Sequence, residues 1–111
     1  NLEARRDFLD VRDVAVAYAR AADPAAEIDG SVFNLASGGA RSIRSILDTL
    51  VRMSKSRISV ETDPDKLRPS DVPYAAGDNA DLRKALGWTP AYPFEETLAD
   101  TLAFWREKFA S

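Results

Sequence analysis

The chain has 111 residues, 45% hydrophobic and 30% charged, which fits one modest globular domain or a piece of a larger one. With a formal net charge of −3 and neither cysteine nor histidine, it has no thiolate or imidazole metal site, no cysteine redox chemistry and no histidine-dependent triad. The acidic balance argues against a nucleic-acid partner, which needs a basic face, so an anionic ligand must be met by individually placed arginines.

No apolar run is long enough to span a membrane and no signal peptide is visible; a cytoplasmic location is the expectation. The start at Asn1, without methionine, reads as a fragment. Phe8-Leu9 suits a short extended piece. Asp10 is placed to cap a helix and Asp13 to favour the positive end of its dipole. Val11, Val14, Ala15, Tyr18, Ala19 and Ala22 form one apolar helical stripe, which Asp23-Pro24 should end. Ser31 to Leu35 reads as a strand, being short, β-branched and aromatic. Ser37-Gly38-Gly39 reads as a turn, because it lacks the spaced glycines of a dinucleotide fingerprint and the Gly-Lys-Ser/Thr of a P-loop. Ser42 is a plausible N-cap for a helix carrying Ile43, Ile46, Leu47, Leu50 and Val51. Ile58 to Thr62 alternates with period two and reads as a half-exposed strand.

Lys66 to Pro73 is a stiff loop. Pro69 and Pro73 fix their own φ and push their predecessors toward extended geometry. Arg68 is suited to a phosphate, which a guanidinium grips with two parallel hydrogen bonds, and Asp71 to a sugar diol; a surface turn with a local ion pair is the alternative. Tyr74 to Gly77 suits another short extended piece. Asp78 or Asn79 caps a two-turn helix with Leu82 and Leu86, stopped by Gly87. Trp88 packs on the body, and Trp105 also reads as core. The last helix follows Pro93, with Phe94, Leu98, Leu102 and Trp105 on one face, Phe109 near it, and Glu95 and Glu96 in its first turn. Arg5 and Arg6 precede the first helix, so one of them can face inward; the alternative is a set of surface charges with Asp7 and Asp13 pairing locally. The acidic residues match no calcium loop, and no metal site is expected. The fold class is α/β: a small mixed lobe of about four helices and two to four short strands.

Taken together, Arg6-Asp7-Phe8-Leu9-Asp10-Val11-Arg12-Asp13-Val14, Val32-Phe33-Asn34-Leu35-Ala36-Ser37-Gly38, Arg68-Pro69-Ser70-Asp71-Val72, Gly77-Asp78 and Leu86-Gly87-Trp88-Thr89-Pro90 resemble the C-terminal part of an extended short-chain dehydrogenase/reductase. This is the NAD-dependent epimerase/dehydratase family of nucleotide-sugar enzymes, and the closest branch is that of the GDP-mannose 4,6-dehydratases and GDP-6-deoxy-4-keto-hexose reductases. The resemblance covers essentially the whole chain. It implies that residues 1–111 are a nucleotide-sugar-binding C-terminal lobe whose missing N-terminal Rossmann domain holds NAD or NADP. It also implies that Arg6 and Arg68 grip the diphosphate while Asp71 takes the ribose hydroxyls, with Arg5 able to replace Arg6. The chain has no Tyr-x-x-x-Lys pair, since Ala22, Asp78 and Glu96 stand four residues after Tyr18, Tyr74 and Tyr92. The expected fragment therefore contributes no catalytic residue, binds no cofactor by itself and is inactive alone. Exposed apolar surface and self-association are expected of it. The rival reading is a stand-alone, non-enzymatic interaction domain whose arginines are structural.

Overall fold

The computed structural model describes residues 1–69 and 72–110. In chain order it comprises β1 (Arg5–Arg6), α1 (Val11–Ala22), β2 (Arg41–Ser42), α2 (Ile43–Met53), a 3₁₀ turn (Pro64–Lys66), β3 (Tyr74–Ala75), α3 (Ala80–Leu86) and α4 (Phe94–Phe109). The sheet is mixed. β1 lies in its centre, antiparallel to β2 (Arg5 opposite Ser42) and parallel to β3 (Arg5 opposite Tyr74, Arg6 opposite Ala75).

The helices begin and end where their local chemistry requires. The Asp10 carboxylate accepts from the Arg12 amide at 2.8 Å, and the Ser42 hydroxyl accepts from the Ser45 amide at 3.1 Å. Each satisfies a first-turn N–H that has no partner within its helix. Asn79, rather than Asp78, is the N-cap residue of α3, and Gly87 closes that helix in the left-handed region at φ 61°, where glycine carries no Cβ penalty. Pro93 precedes α4, whose first turn carries Glu95 and Glu96.

Trp88 is the centre of the core at 1% exposure, packed with Ala17, Leu82, Leu9, Phe33, Leu35 and Leu86. Its indole N–H donates to the Asp13 carbonyl at 2.9 Å, so the one polar atom of the ring is satisfied. The Asp13 carboxylate, 2% exposed, accepts from the amides of Ala91 (2.9 Å) and Tyr92 (3.2 Å). One residue of α1 thus holds the whole connection from Trp88 to α4. Asp10 completes the junction by accepting from the Thr97 hydroxyl of α4 at 2.6 Å and from the Arg12 guanidinium. Arg12 also reaches Asp100 at 2.9 Å and lies 3.8 Å over the Tyr92 ring. At the other end of α1, Arg20 donates to the carbonyls of Leu86 and Gly87.

Several sequence expectations are corrected. The runs Ser31 to Leu35 and Ile58 to Thr62 carry no strand. An extended segment needs a ladder partner, and here Val32 is 93% exposed and Val60 54% exposed. The α1 stripe is also turned outward: Val11 and Tyr18 are exposed, while Asp13 and Ala17 face the core. The two amides that Asp13 satisfies fix this rotation, because burying the other face would strand them without an acceptor. Trp105 is exposed and stacks on exposed Phe109, so it is not core. Phe8-Leu9, expected as a short extended piece, carries no ladder of its own and follows the strand Arg5–Arg6.

The molecule is a plate of 51 × 39 × 19 Å with a radius of gyration of 17.4 Å, against about 13 Å for a compact chain of this length. Its accessible surface of 8467 Å² exceeds the roughly 6,100 Å² of a closed monomer of this mass.

Two predictions follow from the junction at Asp10 and Asp13. Asp13→Ala leaves the Ala91 and Tyr92 amides buried without an acceptor and should lower stability by about 2–4 kcal/mol in urea unfolding; an unchanged midpoint contradicts the role given to Asp13. The Arg12 guanidinium, helped by Thr97 and opposed by burial, holds the Asp10 carboxyl well below the usual carboxylate range. A carboxylate depressed by folding stabilises the fold fully above its unfolded pKa, near about 4. That contribution is lost as pH falls from there toward the folded value. Stability should therefore drop below about pH 4, and Asp10→Asn should flatten that acid limb; an identical limb in the variant contradicts it.

Candidate functional site

Arg6 and the loops beside it form the first part of the site. β1 is two residues long, yet it is held from both sides. The Arg5 amide donates to the Pro73 carbonyl at 2.9 Å, and the Ile43 amide donates to the Ala4 carbonyl at 3.0 Å. The pairing of β1 with β3 brings the chain that leaves the Arg68 loop alongside Arg6, across more than sixty positions of sequence. Arg6 is half-buried and lines a cavity of about 470 Å³ with Asp7, Phe33, Asn34, Ala36 and Gly77 among its walls. Its Nη1 donates to the Arg5 carbonyl at 2.8 Å. Arg5 does not line this cavity; its Nη2 turns away to the Ala40 carbonyl at 3.2 Å.

Asp7 binds the walls of this cavity together. Oδ1 accepts from the Ser37 amide at 2.9 Å, and Oδ2 accepts from the amides of Gly38 (3.1 Å) and Gly77 (3.2 Å). Burial raises the pKa of this carboxyl, but hydrogen bonds from Ser37, Gly77 and Gly38 outweigh it and the net direction is down. A second tie crosses the same gap: buried Asn79 donates from Nδ2 to the Ala36 carbonyl at 2.9 Å. The walls are so close that a Cβ on Gly77 would collide with the Cβ of Ala36. Glycine is required at 77 by this approach and not by its φ.

Arg68 is exposed and lines a different cavity, of about 600 Å³, whose walls include Leu2, Arg44, Val60, Thr62 and Leu67. No hydrogen bond or ion pair holds it among the described residues. Arg6 and Arg68 are therefore not brought together in this arrangement. Asp71, the residue expected at the ribose, lies outside the described residues, as does Ser70. A third cavity, of about 440 Å³, is walled by Phe8, Tyr92, Phe94, Arg41 and the 37–39 turn. In it Arg41 stacks over Phe94 at 4.5 Å.

Reading the sequence alone missed Asp7, which figured only as a surface charge. The one available signal was its repetition: aspartates stand at 7, 10 and 13, three apart, where a surface helix needs no such spacing. No group of three or more acidic side chains able to hold a metal is present among the described residues, and no described helix is long and apolar enough to cross a membrane. A guanidinium at the edge of a polar, backbone-walled cleft suits an anion.

Comparison with known proteins agrees with this picture. A family model described as GDP-mannose 4,6 dehydratase matches residues 1–101. The chain is 29% identical over 108 residues to GDP-6-deoxy-D-mannose reductase of Pseudomonas aeruginosa, covering 97% of this chain and 35% of that protein. It is 32% identical over 103 residues to UDP-glucose 4-epimerase of Mycolicibacterium smegmatis, covering 93% of this chain and 32% of that one. Among solved structures, RMD from Pseudomonas aeruginosa complexed with NADPH superposes with a TM-score of 0.87 at 28% identity, over 97% of this chain and 35% of that one. The chain thus spans about a third of the length of the relatives it matches, and its four helices and three short strands correspond to the C-terminal portion of such an enzyme.

The close approach at Gly77 makes a test. Gly77→Ala should destabilise the chain by about 1–3 kcal/mol in thermal or urea unfolding, and adding Ala36→Gly should recover most of the loss. A harmless single substitution, or a double variant no better than the single, contradicts the contact.

Proposed function

The chain belongs to the GDP-mannose 4,6-dehydratase family, within the nucleotide-sugar epimerases, dehydratases and reductases of the short-chain dehydrogenase/reductase type, and from that premise we propose that residues 1–111 are the nucleotide-sugar-binding lobe of such an enzyme, acting on a GDP-sugar. The observation that carries the reading is the site of Arg6: a half-buried guanidinium on the central strand, at the edge of a cleft whose neighbouring strand continues the Arg68–Asp71 loop. The GDP preference is supported by the family description and by the reductase relative.

In this reading Arg6 takes one phosphate of the diphosphate through paired charge-assisted hydrogen bonds. Arg68 takes the second, and Asp71 accepts from the ribose hydroxyls. Nothing among the described residues anchors the Arg68 side chain where it now lies, so the ligand's negative charge supplies the force that draws it to the cleft. Moving the Arg68 side chain from its exposed position is a cost that weakens binding by this lobe alone.

The intact enzyme would carry NAD or NADP. The residues present do not fit a dinucleotide: Ser37-Gly38-Gly39 lacks the glycine fingerprint, and no Tyr-x-x-x-Lys pair stands anywhere in the chain. No cofactor contact is therefore assigned here, and hydride transfer belongs to a separate Rossmann unit. The lobe's part is to orient the sugar and to exclude water around it. The surface in excess of a closed monomer, together with exposed Val11, Tyr18 and Val32, supports a lobe that packs against that unit.

The test is a titration with GDP-, UDP- and dTDP-sugars, followed by Arg68→Ala in the full-length protein. The GDP-sugar should bind tightest, and Arg68→Ala should weaken it roughly tenfold or more, the value of a hydrogen bond to a charged group. Tighter binding of the UDP-sugar removes the GDP assignment. Unchanged affinity in the variant removes Arg68 from the site and favours an interaction domain with structural arginines.

A further inference from the structure

We propose that Asp7 is a positioning residue for Arg6: by tying both walls of the Arg6 cleft to β1 through three backbone amides, it fixes the guanidinium in the orientation that receives a diphosphate. The inference rests on the reading of Arg6 as a phosphate ligand.

Asp7 follows Arg6 directly, so the backbone that sets the origin of the Arg6 side chain is the backbone that Asp7 holds. Its two oxygens accept from Ser37, Gly38 and Gly77. Ser37 and Gly38 continue the wall that contains Phe33, Asn34, Leu35 and Ala36, while Gly77 continues the wall that contains Ala75 and Ala76. Asp7 therefore bridges one side of the cleft to the other. No other carboxylate among the described residues reaches those amides. β1 has only two paired residues on each neighbour, too little sheet to hold Arg6 by the ladder alone. The three amides take three of the roughly four acceptor positions of the carboxylate, and no hydrogen bond or ion pair joins Asp7 to Arg6 among the described residues. The effect of Asp7 on the ligand is consequently indirect, and its negative charge is spent on backbone dipoles rather than on opposing a phosphate.

An asparagine at 7 preserves the shape but not the chemistry. Whichever way its amide turns, an NH₂ group meets at least one backbone N–H, so at least one of the three bonds is lost and the uncharged oxygen holds the others more weakly. The test is a double-mutant cycle on the full-length protein, with GDP as the probe and calorimetry as the measurement, using Arg6→Ala, Asp7→Asn and the two combined. Arg6→Ala should weaken GDP roughly tenfold or more, and Asp7→Asn roughly fivefold. The combined variant should bind no more weakly than Arg6→Ala alone, because Asp7 acts through Arg6.

Losses that multiply in the combined variant mark a merely structural role and overturn the proposal. So does an Asp7→Asn protein that binds like the wild type while Arg6→Ala does not. If Arg6→Ala itself leaves GDP affinity unchanged, the phosphate reading of Arg6 falls and takes this proposal with it, a result distinguishable from the previous two. Should Asp7→Asn fail to fold, Asn79→Ala supplies the same cycle, since it cuts the second tie across the cleft at the Ala36 carbonyl. It should weaken GDP about two- to threefold, again without adding to Arg6→Ala; a folded Asn79→Ala variant with full affinity, or with multiplying losses, overturns the proposal.

Discussion

Backbone amides in loops must be satisfied somewhere, and in this chain carboxylates do it. The strands are two residues long, so a ladder can pair few of the N–H groups that the connections bring inside. Asp7 takes those of Ser37, Gly38 and Gly77, and Asp13 takes those of Ala91 and Tyr92. Asp10 takes that of Arg12 and the hydroxyl of Thr97. All three stand within seven positions at the junction of β1 and α1. That junction touches both cleft walls, the segment after Trp88 and the start of α4. A buried amide without an acceptor costs more than its hydrogen bond returns, so the three carboxylates set the arrangement of segments that hydrophobic contact alone would leave loosely registered.

Much of this architecture was legible. Ser42, Gly87, Pro93 and Asp10 announced helix ends because capping is decided by residues adjacent in sequence. Trp88 declared itself core by standing alone in an apolar, proline-bounded linker. The rotation of α1 was not legible. Its hydrophobic stripe points to Val11 and Tyr18, yet the helix buries Asp13 and Ala17, because the partners of Asp13 lie at 91 and 92 and no local pattern reveals them. The runs at 31–35 and 58–62 have strand composition without a strand neighbour among the described residues; composition reports what a segment can pair with, not whether the partner is present. At the site, the local pattern offered Asp7 only as a surface charge, because the amides it holds at Ser37, Gly38 and Gly77 lie thirty to seventy residues away.

The outward apolar stripe and the flat outline have one physical explanation. A 12.2 kDa chain that exposes 8467 Å² keeps surface that a closed fold of its size would bury. Val11, Tyr18 and Val32 lie on that surface. The relatives that this chain matches are about three times as long. The aromatic group at the end of α4 is different in kind. Phe104, Trp105 and Phe109 pack on one another, with Lys108 over the rings of Phe104 and Trp105, so their exposure is partly relieved within the helix itself.

The carboxylate ties hold this arrangement together, and residue-resolved amide hydrogen exchange measures them without any substitution. The amides of Ser37, Gly38, Gly77, Ala91 and Tyr92 lie outside every helix and strand, so a chain held only by apolar contact would exchange them at the rate of open loops. Held by the carboxylates, they should exchange as slowly as the amides in the middle of α1. Loop-like exchange at Ala91 and Tyr92 together with Gly77 would contradict those ties.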